Sequence, residues 1–98
     1  MRCEEVLRIL AENRGKLGDF AVSHIAVFGS VARNEATDTS DVDILVEFDS
    51  DAVVGLFRFI RLKHFLEDSL ACPVDLTTPE MLRKEMKNQI LKEAIRAA

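Results

Sequence analysis

Two hydrophobic periods alternate along the chain. In "CEEVLRILAENRGKLG", Val6, Ile9, Leu10 and Leu17 fall near one face of a helix, which Gly15 or Gly18 can end or interrupt. "VSHIAVF", residues 22–28, begins polar and becomes continuously apolar, the pattern of a central strand. Gly29-Ser30 punctuates it, "VARNEA" allows one or two helical turns, and "TDTS" reads as a polar turn. "DVDILVEF" is a second strand. Ser50 is placed to cap a long helix with apolar positions at Val53, Leu56, Phe57, Ile60 and Phe65. "PVDLTT", from Pro73, predicts a short third strand. Thr78 and Pro79 then open a last helix as N-cap and first-turn residue, with a break allowed in it, and Leu82, Met86 and Ile90 give that helix its stripe. The order α-β-α-β-α-β-α predicts an α/β or α+β fold, with helices packed on a small mixed sheet of three or four strands. So small a sheet can leave one face open. No repeat, low-complexity tract or linker divides residues 1–98, so one domain is expected.

Composition narrows the class. At 48% hydrophobic and 31% charged, the chain is an ordinary globular one and not a disordered one. No apolar run approaches the roughly 20 residues of a membrane span. "MRCEEVLRIL" carries acids ahead of its apolar residues and lacks a small-residue cleavage site, so no signal peptide is read and a cytoplasmic location is expected. Cys3 and Cys72 have no CxxC spacing, which indicates reduced thiols and no zinc site. The net charge of −4 weighs against a dedicated nucleic-acid binder. That charge is unevenly placed. Glu35, Asp38, Asp41, Asp43, Glu47, Asp49 and Asp51 follow one another without a base, whereas Arg83, Lys84, Lys87, Lys92 and Arg96 lie toward the C-terminus.

The acids raise a physical question. Strand alternation puts Asp41 and Asp43 on one face and Val42, Ile44, Val46 and Phe48 on the other, which must be the core. Two carboxylates one strand period apart, roughly 6–7 Å, repel by about 2–3 kcal/mol at an effective dielectric near 20. A divalent cation reverses the sign, and Mg²⁺ favours carboxylate oxygens while sharing its shell with substrate phosphates. Taken alone, the pair reads as two solvated aspartates on an open sheet face. Gly29-Ser30 shifts the balance. A glycine ending a strand lets a ligand approach the backbone, the amides that follow suit an anion, and the Ser30 hydroxyl adds a donor. Arg33, one turn on, can reach a phosphate or pair with an acid. By itself Gly-Ser would be a tight strand–helix turn with a capping serine. Competing motifs fail. There is no GxxxxGK[ST], "FGSVA" lacks the second glycine of a nucleophile elbow, and "DTSDVD" lacks the glycine and glutamate of an EF-hand loop. His24 and His64 belong to no motif and read as structural.

"GSVARNEATDTSDVD", a Gly-Ser followed after ten residues by Asp-x-Asp, resembles the signature of the DNA polymerase beta-like nucleotidyltransferase superfamily. "FGSVAR" and "SDVDILVEF" resemble its minimal nucleotidyltransferase branch, whose members are about this long. The resemblance implies a triphosphate held by Gly29 and Ser30 with help from Arg33. It also implies two divalent ions, Mg²⁺ with Mn²⁺ as alternative, on Asp41 and Asp43, and a third carboxylate on a neighbouring strand. Asp75 in "PVDLTT" is the candidate, since it lies mid-strand between Val74 and Leu76; it reads otherwise as an edge-strand or turn carboxylate after Pro73. The implied reaction transfers AMP from ATP to a hydroxyl, with Asp75 also a candidate to accept the proton. Members of this branch are commonly encoded beside an all-helical HEPN-type toxin and act as its antitoxin, some by modifying a toxin tyrosine. The basic tail and exposed apolar residues of the long helix are then a docking surface, or simply a solvated face. Two further readings stay open: a non-catalytic module that masks a helical partner, and transfer to a small molecule or RNA.

Overall fold

The chain was described by a computed structural model, which covers residues 2–35 and 41–97. The turn expected at "TDTS" lies outside them. The first helical segment forms in two pieces, α1 (Cys3–Glu12) and α2 (Arg14–Asp19). The break falls at Asn13 and not at either glycine. The Asn13 side-chain amide donates to the Ile9 carbonyl at 2.8 Å, a local bond that competes with helix propagation. Val6, Leu10 and Leu17 are buried as their spacing requires.

Among the described residues four strands form one sheet, in the order β3-β2-β1-β4: β1 (Val22–Phe28), β2 (Val42–Phe48), β3 (Val74–Thr77) and β4 (Ile95–Arg96). β1 runs antiparallel to β2 and to β4, while β2 and β3 are parallel. The sheet is therefore mixed. A parallel pair needs a crossover connection, and α4 (Leu56–Leu70) supplies it. A single turn, α3 (Gly29–Ala32), follows β1. The last helical segment is a 3-10 turn over Pro79–Met81 and then α5 (Lys84–Glu93). β4 follows at once; two residues carry no periodicity, so the pattern of the chain could not announce it.

One layer of helices covers one side of the sheet. Val6 and Leu10 of α1 and Leu62, Leu66 and Leu70 of α4 pack with Ile25, Val27, Val42, Ile44, Val46, Val74 and Leu76 from three strands. Phe20 and Phe65 add a tilted ring contact at 5.6 Å between centroids. Here two expectations are corrected. Ser50 does not cap the long helix, because Asp49–Ala52 first closes a turn through the Ala52 amide and the Asp49 carbonyl, and α4 starts after Gly55. The stripe Val53, Leu56, Phe57 and Ile60 is exposed, and the buried stripe is Leu62, Leu66 and Leu70. The helix carries two apolar stripes, and only the one at its C-terminal half lies over the sheet, where Ala71 at φ 57° turns the chain toward β3. Only Phe65 of the expected set packs against the core. Among the described residues no helix is long and apolar enough to cross a membrane.

Candidate active site

The other side of the sheet carries the chemistry. Val42, Ile44 and Val46 take the core side of β2, which leaves Asp43, Leu45 and Glu47 on the opposite face. Register does the rest. Asp43 lies directly beside Asp75 on the parallel strand β3 and directly beside Phe28 on the antiparallel strand β1. Phe28 ends β1, so the next residue, Gly29, arrives against Asp43. Asp75 does lie on an edge strand, and the same register makes it the neighbour of Asp43. Asp41 is exposed and stands immediately before β2, so the two members of Asp-x-Asp differ in setting: Asp43 is half-buried in the sheet and Asp41 lies at its entrance.

Gly29 is held at φ +72°, a conformation that residues with a side chain rarely adopt. A Cβ there would also collide with the Asp43 carboxylate. The Gly-Ser turn and the second aspartate of Asp-x-Asp, fourteen positions apart, are thus in contact, and the glycine is what permits it. Ser30 sits in the same turn, where its carbonyl accepts the Glu35 amide at 2.8 Å.

Electrostatics set Asp43 apart. Burial pushes its carboxyl above the usual value of 3.8, and the charges of Asp75 and then Asp41 push it further; Arg33 pulls it back, and a hydrogen bond with Asp75 raises it again. A carboxylate crowded by two others wants a counter-charge. The donor set of three carboxylates is the hard-oxygen set that Mg²⁺ or Mn²⁺ takes, so these residues fit a divalent ion. Among the described residues no three side chains already converge on one cation position.

α5 forms the opposite wall. A cleft of about 250 Å³ lies between Phe28, Gly29, Arg33 and Asp43 on one side and Met86, Gln89, Ile90 and Glu93 on the other. Arg33 ion-pairs with Glu35 at 3.1 Å and with Glu93 at 2.9 Å. The same Glu93 oxygen accepts the Gly29 amide at 2.9 Å. No spacing in the sequence could place Glu93 against a residue 64 positions away. The two histidines stand apart from this cluster. His24 is exposed on β1 with its Nδ1 at 2.8 Å from Arg96, and His64 is exposed on α4. Cys3 and Cys72 are free thiols, each pushed upward first by burial.

A mixed sheet backed by helices, with paired aspartates on adjacent strands and a Gly-Ser turn against one of them, defines a nucleotidyltransferase fold. The chain belongs to the nucleotidyltransferase domain family, whose model matches residues 3–97. It is 39% identical over 93 residues to the protein adenylyltransferase MntA of Thermococcus cleftensis, an alignment covering 94% of this chain and 92% of that one. A solved minimal nucleotidyltransferase superposes with a TM-score of 0.79 at 36% identity, over 97% of this chain and 95% of the other. A chain from the complex of tri-AMPylated Shewanella oneidensis HEPN toxin with MNT antitoxin shares the fold at a TM-score of 0.64 and 19% identity, over 94% of this chain and 71% of that chain.

Proposed function

We propose that this chain is a divalent-metal-dependent protein adenylyltransferase that moves AMP from ATP to a hydroxyl, a tyrosine of a HEPN-type partner, and thereby acts as that partner's antitoxin. The observation that carries this reading is the register of the sheet: Asp43 beside Asp75, with Gly29 closed onto Asp43. It is supported by the similarity to an adenylyltransferase along nearly the whole chain.

Asp41, Asp43 and Asp75 would hold two Mg²⁺ ions, with Mn²⁺ as the alternative. Bound metal supplies charge neutralisation of the phosphates and a lower pKa for the acceptor hydroxyl. Asp43, the most crowded carboxylate, is the one whose ionised form depends most on that cation. The Gly29 amide, the Ser30 side chain and the Arg33 guanidinium face the β- and γ-phosphates and hold them as pyrophosphate leaves. The acceptor oxygen attacks the α-phosphorus in line with the breaking bond to the β-phosphate oxygen. Asp75, exposed at the sheet edge, takes the proton that the acceptor loses. Incubation with ATP, Mg²⁺ and a HEPN-type partner protein should add AMP to that protein. Asp43→Asn and Asp75→Asn should remove the modification, and full modification by both variants would overturn the assignment.

A second reading has an observation of its own. Leu56, Phe57 and Ile60 form an exposed apolar stripe on α4, with exposed Val53 just before it. Such a stripe suits a partner helix, and neutralisation by masking would need no chemistry. Rescue from toxicity by Asp43→Asn at wild-type level would favour masking.

A further inference from the structure

Two of the three groups assigned to the phosphates are already occupied by the chain itself. The Gly29 N–H and the Arg33 guanidinium converge on one carboxylate oxygen of Glu93, each at 2.9 Å. A backbone amide and a guanidinium meeting at a single oxyanion form the contact that a phosphate oxygen would make. Glu93 is the last residue of α5, and its carboxylate is mostly shielded, with 24% of the side chain exposed. It shares its cleft with Asp43.

We propose that Glu93 is an internal stand-in for phosphate, and that the C-terminal segment α5–β4 is a strap that must release it before a triphosphate can bind. This rests on the adenylyltransferase reading and adds a gate to the same site. The strap is fastened by a short strand. β4 pairs with β1 at Ala26–Arg96 and Val27–Ile95, the Ala97 amide donates to the Ile25 carbonyl at 2.8 Å, and Arg96 lies 2.8 Å from His24 Nδ1. Met86, Leu91 and Ile95 of the strap are exposed, Ile90 is buried along the cleft, and Ala97 after β4 packs against the core. A carboxylate carries one charge where a triphosphate carries several. The incoming ligand therefore displaces Glu93 readily once Mg²⁺ has offset the aspartates, and free protein keeps the Gly29 amide and Arg33 closed to stray anions. The exclusion is electrostatic and steric together, since Glu93 uses the donors and fills the space.

Calorimetric titration with Mg²⁺ and a non-hydrolysable ATP analogue, and separately with Mg²⁺ and inorganic tripolyphosphate, tests this. Glu93→Ala should bind both ligands about tenfold more tightly than wild type. Glu93→Gln, which keeps the shape and loses the charge, should fall between them. Circular dichroism matched to wild type establishes that each variant is folded, and NMR on the wild type supplies a readout that needs no variant. Addition of the Mg²⁺ analogue complex should shift the amides of Gly29 and of Ala94, Ile95 and Arg96 together. Unchanged or weaker binding by both variants overturns the gate, as does a wild-type shift confined to Gly29. If wild type binds and Asp43→Asn does not while Glu93→Ala matches wild type, the gate fails and the adenylyltransferase reading stands. Binding by neither wild type nor Glu93→Ala overturns both.

Discussion

On the side of β2 facing α1 and α4, Val42, Ile44 and Val46 are fully enclosed; on its other side, Asp43 opens on the cleft walled by α5, while Leu45 and Glu47 line a neighbouring pocket with Leu91 and Arg96. The seven residues of one strand thus do two jobs that differ in what satisfies them. The helix side is complete within the chain, because each buried methyl finds its neighbours there. The cleft side is incomplete. Its carboxylates repel one another, and its Gly29 amide and Arg33 guanidinium are held by Glu93 of the strap. The lesson is that the same alternation that builds a core also delivers a charged surface whose stabilisation comes from a ligand. A strand with a fully satisfied second face could not have that function.

The comparison breaks or sharpens under substitution. Asp43→Asn should cost AMP transfer at least about 10²–10³-fold by removing a charge that the metal and phosphates require, while leaving the fold intact; initial rates and thermal unfolding check the two halves. Ile44→Ala, one residue away on the helix side, should do the reverse. It should destabilise by about 3 kcal/mol, measured by urea unfolding, and lower activity only in proportion to the unfolded fraction. Gly29→Ala belongs to both sides. Its backbone strain and its collision with Asp43 should cost about 1–3 kcal/mol and also disable the turn, so its transfer rate should fall even where the protein remains folded.

The smallest effect is in pH. Asp43 holds its proton to a higher pH in the folded chain than in the unfolded one, for which 3.8 is the reference. Its contribution to stability is therefore fully present below about 3.8 and is lost as pH rises through the elevated folded value. Above that value, ionised Asp43 opposes folding. Without metal, Asp43→Asn should be the more stable protein at neutral pH by about 0.5–1 kcal/mol, a modest figure because the carboxyl is partly screened by solvent. The difference should shrink toward pH 3, and millimolar Mg²⁺ at pH 7 should cancel or reverse it. Melting temperatures of the two proteins across pH, with and without Mg²⁺, give the sign directly.

Much of this was legible from the chain, for a physical reason. The period of two in "DVDILVEF" assigns its faces without knowledge of the rest of the fold, so the core side of β2 and the exposure of the acidic side follow from it. Asp75 could be nominated because a charge between Val74 and Leu76 needs an explanation. Its alignment with Asp43 could not be read, since register between strands 32 positions apart belongs to tertiary structure. The helix expected from Ser50 failed because two apolar stripes share one segment, and spacing alone does not say which of them meets the sheet. Glu93 was illegible for the same reason. Its role depends on where α5 returns, and that is decided by Ile90 burying itself along the cleft and by a two-residue strand.

The protein is incubated with Mg²⁺ and a HEPN-type candidate partner in two parallel reactions, one with ATP radiolabelled at the α-phosphate and one with ATP labelled at the γ-phosphate. The partner should acquire label from α-labelled ATP only, and Asp43→Asn should leave it unlabelled. Label arriving from the γ-phosphate, or equal α-label with the Asp43→Asn variant, would contradict the proposed AMP transfer.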